Sequence, residues 1–172
     1  MLTDEQTSAL DQRKWVMLII FGVLFFGVLV FSVVSLIVRI NGGEEVFNME
    51  VGFIAKLGIA FACLVLIPSF VVPVFVRRST MKEVSKKFVG RFAEPGAAAH
   101  CFAGIQTSMI VGLALLEGAA FFNLIGYLIE GSVGNIFAVA VLLMVMFIRI
   151  PLPGRVEQWV SNMLDDAKLE KK

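Results

Sequence analysis

Four long apolar runs constrain the fold of this chain more than any other feature. The first extends from Trp15 to Val38 without a charged residue, and others lie near 46–76, 105–129 and 133–150. About 20 consecutive apolar residues are needed for a helix to cross a bilayer. A lipid-exposed segment must satisfy its own backbone hydrogen bonds, which favours helices. We therefore predict an all-α integral membrane protein with four transmembrane helices and cytoplasmic amphipathic helices.

The composition supports a single membrane domain over residues 1–172. Hydrophobic residues make up 58% of the chain and charged residues 17%, whereas soluble domains have roughly half and a quarter. The first run is longer than the core of a signal peptide and no Ala-x-Ala site follows it, so we expect it to be retained. The expected segments are an N-terminal helix (1–14), span 1 (15–40), span 2 (46–76), a basic connection (77–104), span 3 (105–129), span 4 (133–150) and an amphipathic C-terminal helix (155–170).

The basic residues predict the orientation of the chain. All but two of the 15 Lys and Arg residues lie before span 1, between spans 2 and 3, or at the end of span 4 and after it. Cytoplasmic loops carry such an excess of positive charge. We expect a multi-pass protein of the cell (inner) membrane with both termini cytoplasmic. The basic residues on this side are Arg13, Lys14, Arg77, Arg78, Lys82, Lys86, Lys87, Arg91, Arg149, Arg155, Lys168, Lys171 and Lys172.

Two capping boxes predict helix starts in the water-facing segments. Thr3 with Gln6 and Thr80 with Glu83 each have the Ser/Thr-x-x-Glu/Gln pattern. After the second box, apolar residues recur at helical spacing among basic ones, which is typical of a helix at the lipid headgroups. Alternatively, the basic residues only enforce topology. The residues expected to contact lipid or form an interface are Lys82, Lys86, Lys87, Arg91, Trp15 and Trp159.

The C-terminal segment carries an apolar stripe. It follows the helical spacing i, i+3, i+4, i+7, i+8 and i+11 from Val156 to Ala167. Trp159 in this stripe suits an interfacial anchor. Docking on a neighbouring subunit is the other interpretation.

Glu117 lies near the centre of span 3, in the apolar stretch from Ile105 to Ile129. A charged side chain at that depth costs at least about 2.5 kcal/mol. Small residues surround it, with Gly104, Ser108 and Gly112 at four-residue steps, a spacing that lets helices approach closely. We therefore expect Glu117 to face another helix, either neutral and hydrogen-bonded or paired. Gln106 lies three turns earlier on nearly the same face.

Lys56 is the other ionisable residue well inside a span. Its side chain is long enough either to approach Glu117 or to extend toward the outer headgroups near Glu50. The sequence leaves both alternatives open. Lys56, Glu117 and Gln106 form the expected ion-binding site or buried polar contact.

The stretch IVGLALLEGAAFFNLIGYLI resembles the ion-binding helix of c subunits of rotary ATP synthases. The resemblance covers one span and implies that Glu117 carries H⁺ or Na⁺. The chain departs from that family because no alternating-glycine helix and no Arg-Gln-Pro-like loop are present. As a whole it resembles small four-span bacterial inner-membrane proteins of unassigned function that carry an Ala-Leu-Leu-Glu-Gly-Ala-Ala run. That resemblance implies architecture and not chemistry.

No motif in the sequence predicts an enzyme, a cofactor or a metal site. His100 is the only histidine, and its neighbour Cys101 and the distant Cys63 do not complete a ligand set. No nucleophile elbow or phosphate loop occurs. We expect membrane lipid and either further copies or other membrane subunits as partners, and no nucleic acid. Two functions remain: a structural or accessory membrane protein, or a proton- or cation-handling component that uses Glu117.

Overall fold

Five helices make up the computed structural model, which describes residues 3–169. Within these residues no strand is present, and an isolated parallel bridge joins Asn48 to Ser132. The helices are α1 (Asp4–Asn41), α2 (Phe53–Lys87), α3 (Pro95–Glu130), α4 (Val133–Ile148) and α5 (Pro153–Leu169). Met1, Leu2, Glu170, Lys171 and Lys172 lie outside the described residues, and with them the ends of the predicted terminal helices and two of the predicted cytoplasmic charges.

Two pairs of predicted segments are each one continuous helix. The N-terminal helix and span 1 form α1, and span 2 continues through the predicted second capping box to form α2. The prediction that Thr80 starts a helix is therefore wrong. No Pro or Gly lies between Pro73 and Thr80, so nothing interrupts the helix there. Thr80 is buried instead.

Three helices in the described chain, α1, α2 and α3, are long and apolar enough to cross a membrane. In the most apolar 18-residue segment of each helix, the buried share is 44% in α3 but only 17% in α1 and in α2. α3 is therefore the most enclosed of the three. α4 is apolar but has only 16 residues.

The structure divides into two compact units, where the sequence analysis predicts a single membrane domain. Unit 1 comprises the described residues of Met1–Phe21, Phe70–Gly112 and Pro151–Lys172. Unit 2 comprises Gly22–Ser69 and Leu113–Ile150. α1, α2 and α3 each contribute residues to both units, whereas α4 belongs to unit 2.

Unit 1 has a hydrophobic core built from four helices. α5 contributes the stripe that the sequence analysis assigned to the membrane surface or to a neighbouring subunit. Its Val156 and Val160 are fully buried, and so are Val84 of α2 and Phe102 of α3. The apolar stripe therefore packs within its own chain, because three neighbouring helices cover it. The core residues are Leu10, Met17, Val84, Phe88, Ala97, Ala98, Cys101, Phe102, Ile105, Val156, Val160, Met163, Leu164 and Ala167.

Polar contacts attach the N-terminus of α1 to the rest of unit 1. The predicted capping box is confirmed: the Thr3 N–H donates to Gln6 Oε1 at 3.1 Å, and the Gln6 N–H donates to Thr3 Oγ1 at 3.3 Å. The Gln6 side-chain amide also donates to the carbonyls of Phe92 and Glu94. One glutamine thus caps α1 and holds the turn between α2 and α3.

A buried ammonium group joins α1 to α5 inside unit 1. The Lys14 side chain is 6% exposed and contacts Asp11 at 2.7 Å and Glu157 at 2.5 Å. Burial by itself lowers the pKa of Lys14, but the hydrogen bonds and charges of Asp11 and Glu157 outweigh it, so the net pKa is raised. Lys14 is therefore charged at neutral pH.

Unit 2 exposes large apolar side chains along its helices. Phe26 and Val30 of α1, Leu64 of α2 and Phe137 of α4 are each more than 60% exposed. Its interior is small and partly polar, with Ser35, Asn123 and Asn135 fully buried. An outward-facing apolar surface of this kind is suited to lipid and not to water.

We expect Val160→Ser to destabilise unit 1 by about 2–3 kcal/mol, because it removes fully buried apolar surface and buries a hydroxyl. Val89→Ser is the matched control, since Val89 is 47% exposed in the same unit. The measurement is the thermal unfolding midpoint of the full chain in detergent. Equal midpoints for the two variants would contradict the assignment of the stripe to the core.

Candidate functional site

Arg39, near the end of α1, is the centre of the most connected polar group in unit 2. Its side chain is almost completely buried, at 7% exposure, and pairs with Glu44 at 3.0 Å. Its guanidinium donates to the carbonyls of Tyr127 and Leu128 in the last turn of α3 and to that of Glu45. Carbonyls at a helix C-terminus have no helical partner and attract a cation. Arg39 thus caps α3 from a different helix.

Glu130 provides the reciprocal contact at the start of α2. Its two carboxylate oxygens accept hydrogen bonds from the Ile54 and Ala55 N–H groups at 2.9 and 2.8 Å. An anion at a helix N-terminus satisfies free donors and is favoured by the helix dipole. The last residue of α3 therefore fixes the position at which α2 begins.

The loop between α1 and α2 is held to the α3–α4 turn. The Asn48 N–H donates to the Gly131 carbonyl at 2.9 Å, and the Asn48 carbonyl accepts from the Val133 N–H at 3.0 Å. The Tyr127 hydroxyl donates to the Val46 carbonyl at 2.8 Å. Gly131 has a φ of 67°, which favours glycine, and a side chain there would meet Arg39. We call this set of contacts around Arg39 and Glu130 the arginine network.

A second polar group lies buried among α2, α3 and α4. Asn123, Ser132 and Asn135 are fully buried, and we call them the amide cluster. The Asn123 side-chain amide donates to the carbonyls of Gly58 and Ala119, each at 2.9 Å. Asn123 Oδ1, Ser132 Oγ and both amide atoms of Asn135 have no hydrogen-bond partner in the described part of the chain.

Two glycines make room for the amide cluster. A methyl group on Gly58 would lie 2.6 Å from Asn123 Oδ1, and one on Gly126 would lie 2.9 Å from Asn135 Nδ2. Both distances are too short for a Cβ contact. The absent side chains therefore allow α2, α3 and α4 to approach closely around polar atoms, as small residues do between membrane helices.

Glu117 lies half-buried in unit 2 and faces α1. Its Oε1 is 3.6 Å from the position that a Cβ on Gly27 would occupy. None of the hydrogen bonds or ion pairs between described residues involves Glu117. Ala114 and Gly118, on the neighbouring surface of α3, are exposed, and nothing lies within 4 Å of a Cβ placed on Gly118. The carboxylate thus borders both a helix contact and an open surface.

The structure does not pair Lys56 with Glu117. Lys56 is exposed and, among residues 3–169, has no carboxylate within 4 Å, neither Glu117 nor Glu50. The reason is the alignment of α2 with α3. Because Glu130 contacts Ile54 at the start of α2, Lys56 lies level with the end of α3. Glu117 lies thirteen residues earlier, about 20 Å away along the axis at 1.5 Å per residue, which is beyond the reach of a lysine.

Gln106 belongs to unit 1 and Glu117 to unit 2. Gln106 is half-buried. On the same helix, Gly104 and Ser108 are buried, and a Cβ on Gly104 would collide with Thr80. Gly104, one of the small residues that precede Glu117, therefore brings α3 against α2 of the same chain in unit 1.

The residues expected to contact lipid occupy exposed or half-buried positions. Trp15 is 63% exposed, and Trp159 is half-buried with the Arg77 guanidinium 5.5 Å from its ring centre. The basic residues Lys82, Lys86, Lys87 and Arg91 are exposed. Lipid contact by these side chains stays a prediction.

His100 and the cysteines are separate features. The His100 ring lies 3.1 Å from Glu83 on α2. Cys101 is buried in the core of unit 1, which raises the pKa of its thiol to about 12, whereas Cys63 is exposed in unit 2. Within residues 3–169, no three His, Cys, Asp or Glu side chains are grouped so as to hold a metal ion.

The sequence analysis missed both polar groups of unit 2. Arg39 is one of the two basic residues outside the predicted cytoplasmic set, and the sequence analysis gave no role to it, to Asn123 or to Asn135. Polar residues inside apolar runs indicate buried polar contacts, since each such residue needs a hydrogen-bond or charge partner there. Their partners are mainly backbone carbonyls and N–H groups, which sequence patterns do not reveal. Comparison of the chain with protein-family models, curated proteins and solved structures found no match.

We expect Arg39→Met to destabilise the protein by about 2–4 kcal/mol, because several buried carbonyls lose a charged donor. Lys56→Met, at an exposed position, should change stability by less than about 0.5 kcal/mol. The measurement is unfolding of the full chain by a denaturing detergent, followed by circular dichroism. Similar losses for both variants would show that removing any cation from unit 2 has this effect and would contradict a special role for Arg39.

Proposed function

We propose that this chain is a structural or accessory integral membrane protein that self-associates or forms part of a larger membrane complex. The observation that carries the proposal is the environment of Glu117. This carboxylate has no partner within the described chain and borders an exposed small-residue surface at Ala114 and Gly118. Inside a bilayer such a group costs at least about 2.5 kcal/mol unless it is partnered. A helix from another chain would supply both the partner and the close packing.

The remaining polar groups of unit 2 support a structural role. Arg39 and Glu130 are bonded to the ends of α3 and α2. These contacts fix helix positions and occupy both charged groups with partners inside the chain.

The proposal includes four membrane crossings with both ends of the chain in the cytoplasm. α4, with 16 residues, is about 24 Å long at 1.5 Å per residue. The apolar core of a bilayer is about 30 Å thick, so α4 would cross with the help of local thinning or of flanking residues. The distribution of charge supports the orientation, because unit 1 contains all but three of the 13 basic residues that the structure describes.

Labelling of single cysteines tests the topology. In a background with Cys63→Ser and Cys101→Ala, we expect Met49→Cys to react with a membrane-impermeant thiol reagent in intact cells. Lys86→Cys and Leu152→Cys should react only after permeabilisation. All three positions are exposed. A lack of reaction in intact cells therefore means that the membrane shields the thiol, and not that the side chain is buried in the protein. Labelling of Leu152→Cys in intact cells would show that α4 does not cross.

Substitution of Glu117 tests the functional proposal. Glu117→Gln keeps the shape and the hydrogen bonding, so we expect the native assembly to persist. Glu117→Ala removes the partner of a buried polar group and should weaken association roughly tenfold or more. Sedimentation in mild detergent measures the association of both variants. Unchanged association of the Ala variant would contradict the proposal.

Cross-linking provides an independent control for the same surface. In the cysteine-free background, Gly118→Cys should form disulfides between copies, because a Cβ there meets nothing within its own chain. Leu64→Cys is the matched control, since Leu64 is 66% exposed elsewhere in unit 2. Cross-linking with equal yield at both positions would indicate random collision in the membrane.

The second candidate function is proton or cation handling by Glu117. This half-buried carboxylate has no partner among the described residues of the chain, which favours that function. In that case Glu117→Gln abolishes carbodiimide labelling and ion flux in reconstituted vesicles while the assembly persists. The Glu117→Gln variant thus distinguishes the two functions, because it retains function if the role of Glu117 is structural and loses it if Glu117 handles an ion.

A further inference from the structure

A groove between α2 and α5 in unit 1 combines cationic, aromatic and apolar side chains. Its volume is about 340 Å³, which lies within the range of roughly 300–1,000 Å³ that is usual for small-molecule sites. Arg77, Arg78, Trp159 and Asn162 provide the polar groups that a ligand would meet. The described residues that line it are Val74, Arg77, Arg78, Met81, Trp159, Asn162, Met163 and Asp166.

The two arginines give the groove more positive than negative charge. Arg77 is half-buried, stacks on Trp159, and has no carboxylate within 4 Å in the described chain, and the same holds for Arg78. Asp166 is the one acidic residue among the described residues that line the groove. A guanidinium presents donors in a planar fork that matches the oxygens of a phosphate group.

The groove is also amphipathic along α2. Val74, at its apolar end, is 50% exposed. Together with the exposed side chains of Val71 and Phe75, it forms an apolar surface on α2. Arg77 and Arg78 follow within one helical turn. Aromatic and basic side chains gather in this way where a membrane meets water. A free phosphate would use only the cationic end, whereas a lipid would use both.

We propose that this groove binds the headgroup of an anionic phospholipid, with Arg77 and Arg78 on the phosphate and the acyl chains along Val71, Val74 and Phe75. The inference rests on the proposed placement of the chain in a membrane. It differs from the predicted contact of Lys82, Lys86, Lys87 and Arg91 with lipid, because those residues do not line the groove. It assigns one bound lipid to each chain instead of a diffuse attraction.

Fluorescence of Trp159 reports occupancy of the groove. The chain has two tryptophans, so Trp15→Phe leaves Trp159 as the only one. The full chain is reconstituted in phosphatidylcholine vesicles that contain a small, equal fraction of acyl-brominated phosphatidylglycerol or acyl-brominated phosphatidylcholine. We expect saturable quenching with a clear preference for the anionic lipid.

Charge-matched variants separate the groove from the rest of the basic surface. Each arginine near an anionic lipid contributes about 1 kcal/mol, or about fivefold in affinity. Arg77→Gln with Arg78→Gln should therefore lower the preference by roughly 25-fold, whereas Lys86→Gln with Lys87→Gln should lower it much less. Equal losses in the two double variants would show a diffuse attraction and overturn the site. If the first double variant fails to fold, Arg78→Gln alone, at an exposed position, should still lower the preference about fivefold.

Three further outcomes are decisive. Equal quenching by the two brominated lipids would overturn the groove as an anionic site but leave the membrane placement intact. No quenching by either lipid would overturn both the groove and the placement of this end of α2 at the membrane. Loss of the quenching on addition of soluble glycerol phosphate would show recognition of a free phosphate and overturn the assignment to lipid.

Discussion

The burial of one guanidinium group determines how unit 2 is arranged. A membrane helix satisfies its own backbone everywhere except at its ends. Arg39 binds the last carbonyls of α3, and Glu130, at the end of α3, binds the first N–H groups of α2. These two charge-assisted contacts set the relative heights of three helices. They thereby fix the positions of the other polar residues of these helices along the helix axes.

The same alignment explains why Lys56 does not pair with Glu117, which has no partner among residues 3–169. With the start of α2 held at Glu130, Lys56 is level with the end of α3 and Glu117 lies far below it. Gly27 of α1, which faces the Glu117 carboxylate, has no side chain to donate a hydrogen bond. A costly carboxylate is therefore left beside an open small-residue surface. Both proposed functions begin from this fact and differ in whether the partner is a helix or an ion.

The two units use small residues for different purposes. In unit 1, Gly104 brings α3 against Thr80 of α2, and a continuous apolar core surrounds that contact. In unit 2, Gly58 and Gly126 admit the amides of Asn123 and Asn135, and the large apolar side chains face outward. The interior of unit 1, with apolar groups inside, is the arrangement that water favours, whereas that of unit 2 is typical of helices in lipid, which close packing and polar contacts hold together.

The sequence by itself determined the all-helical class, the apolar helices and the cap formed by Thr3 and Gln6, because each depends on local composition or on neighbours along the chain. It also identified Glu117 as a costly residue. The tertiary structure decided what the side chains meet. The cap at Thr80 did not form because α2 continued through it, and the α5 stripe was covered by its own chain. Arg39, Glu130 and Asn123 found backbone partners from 65 to 89 residues away, and such partners leave no pattern in a sequence because every residue carries the same backbone groups.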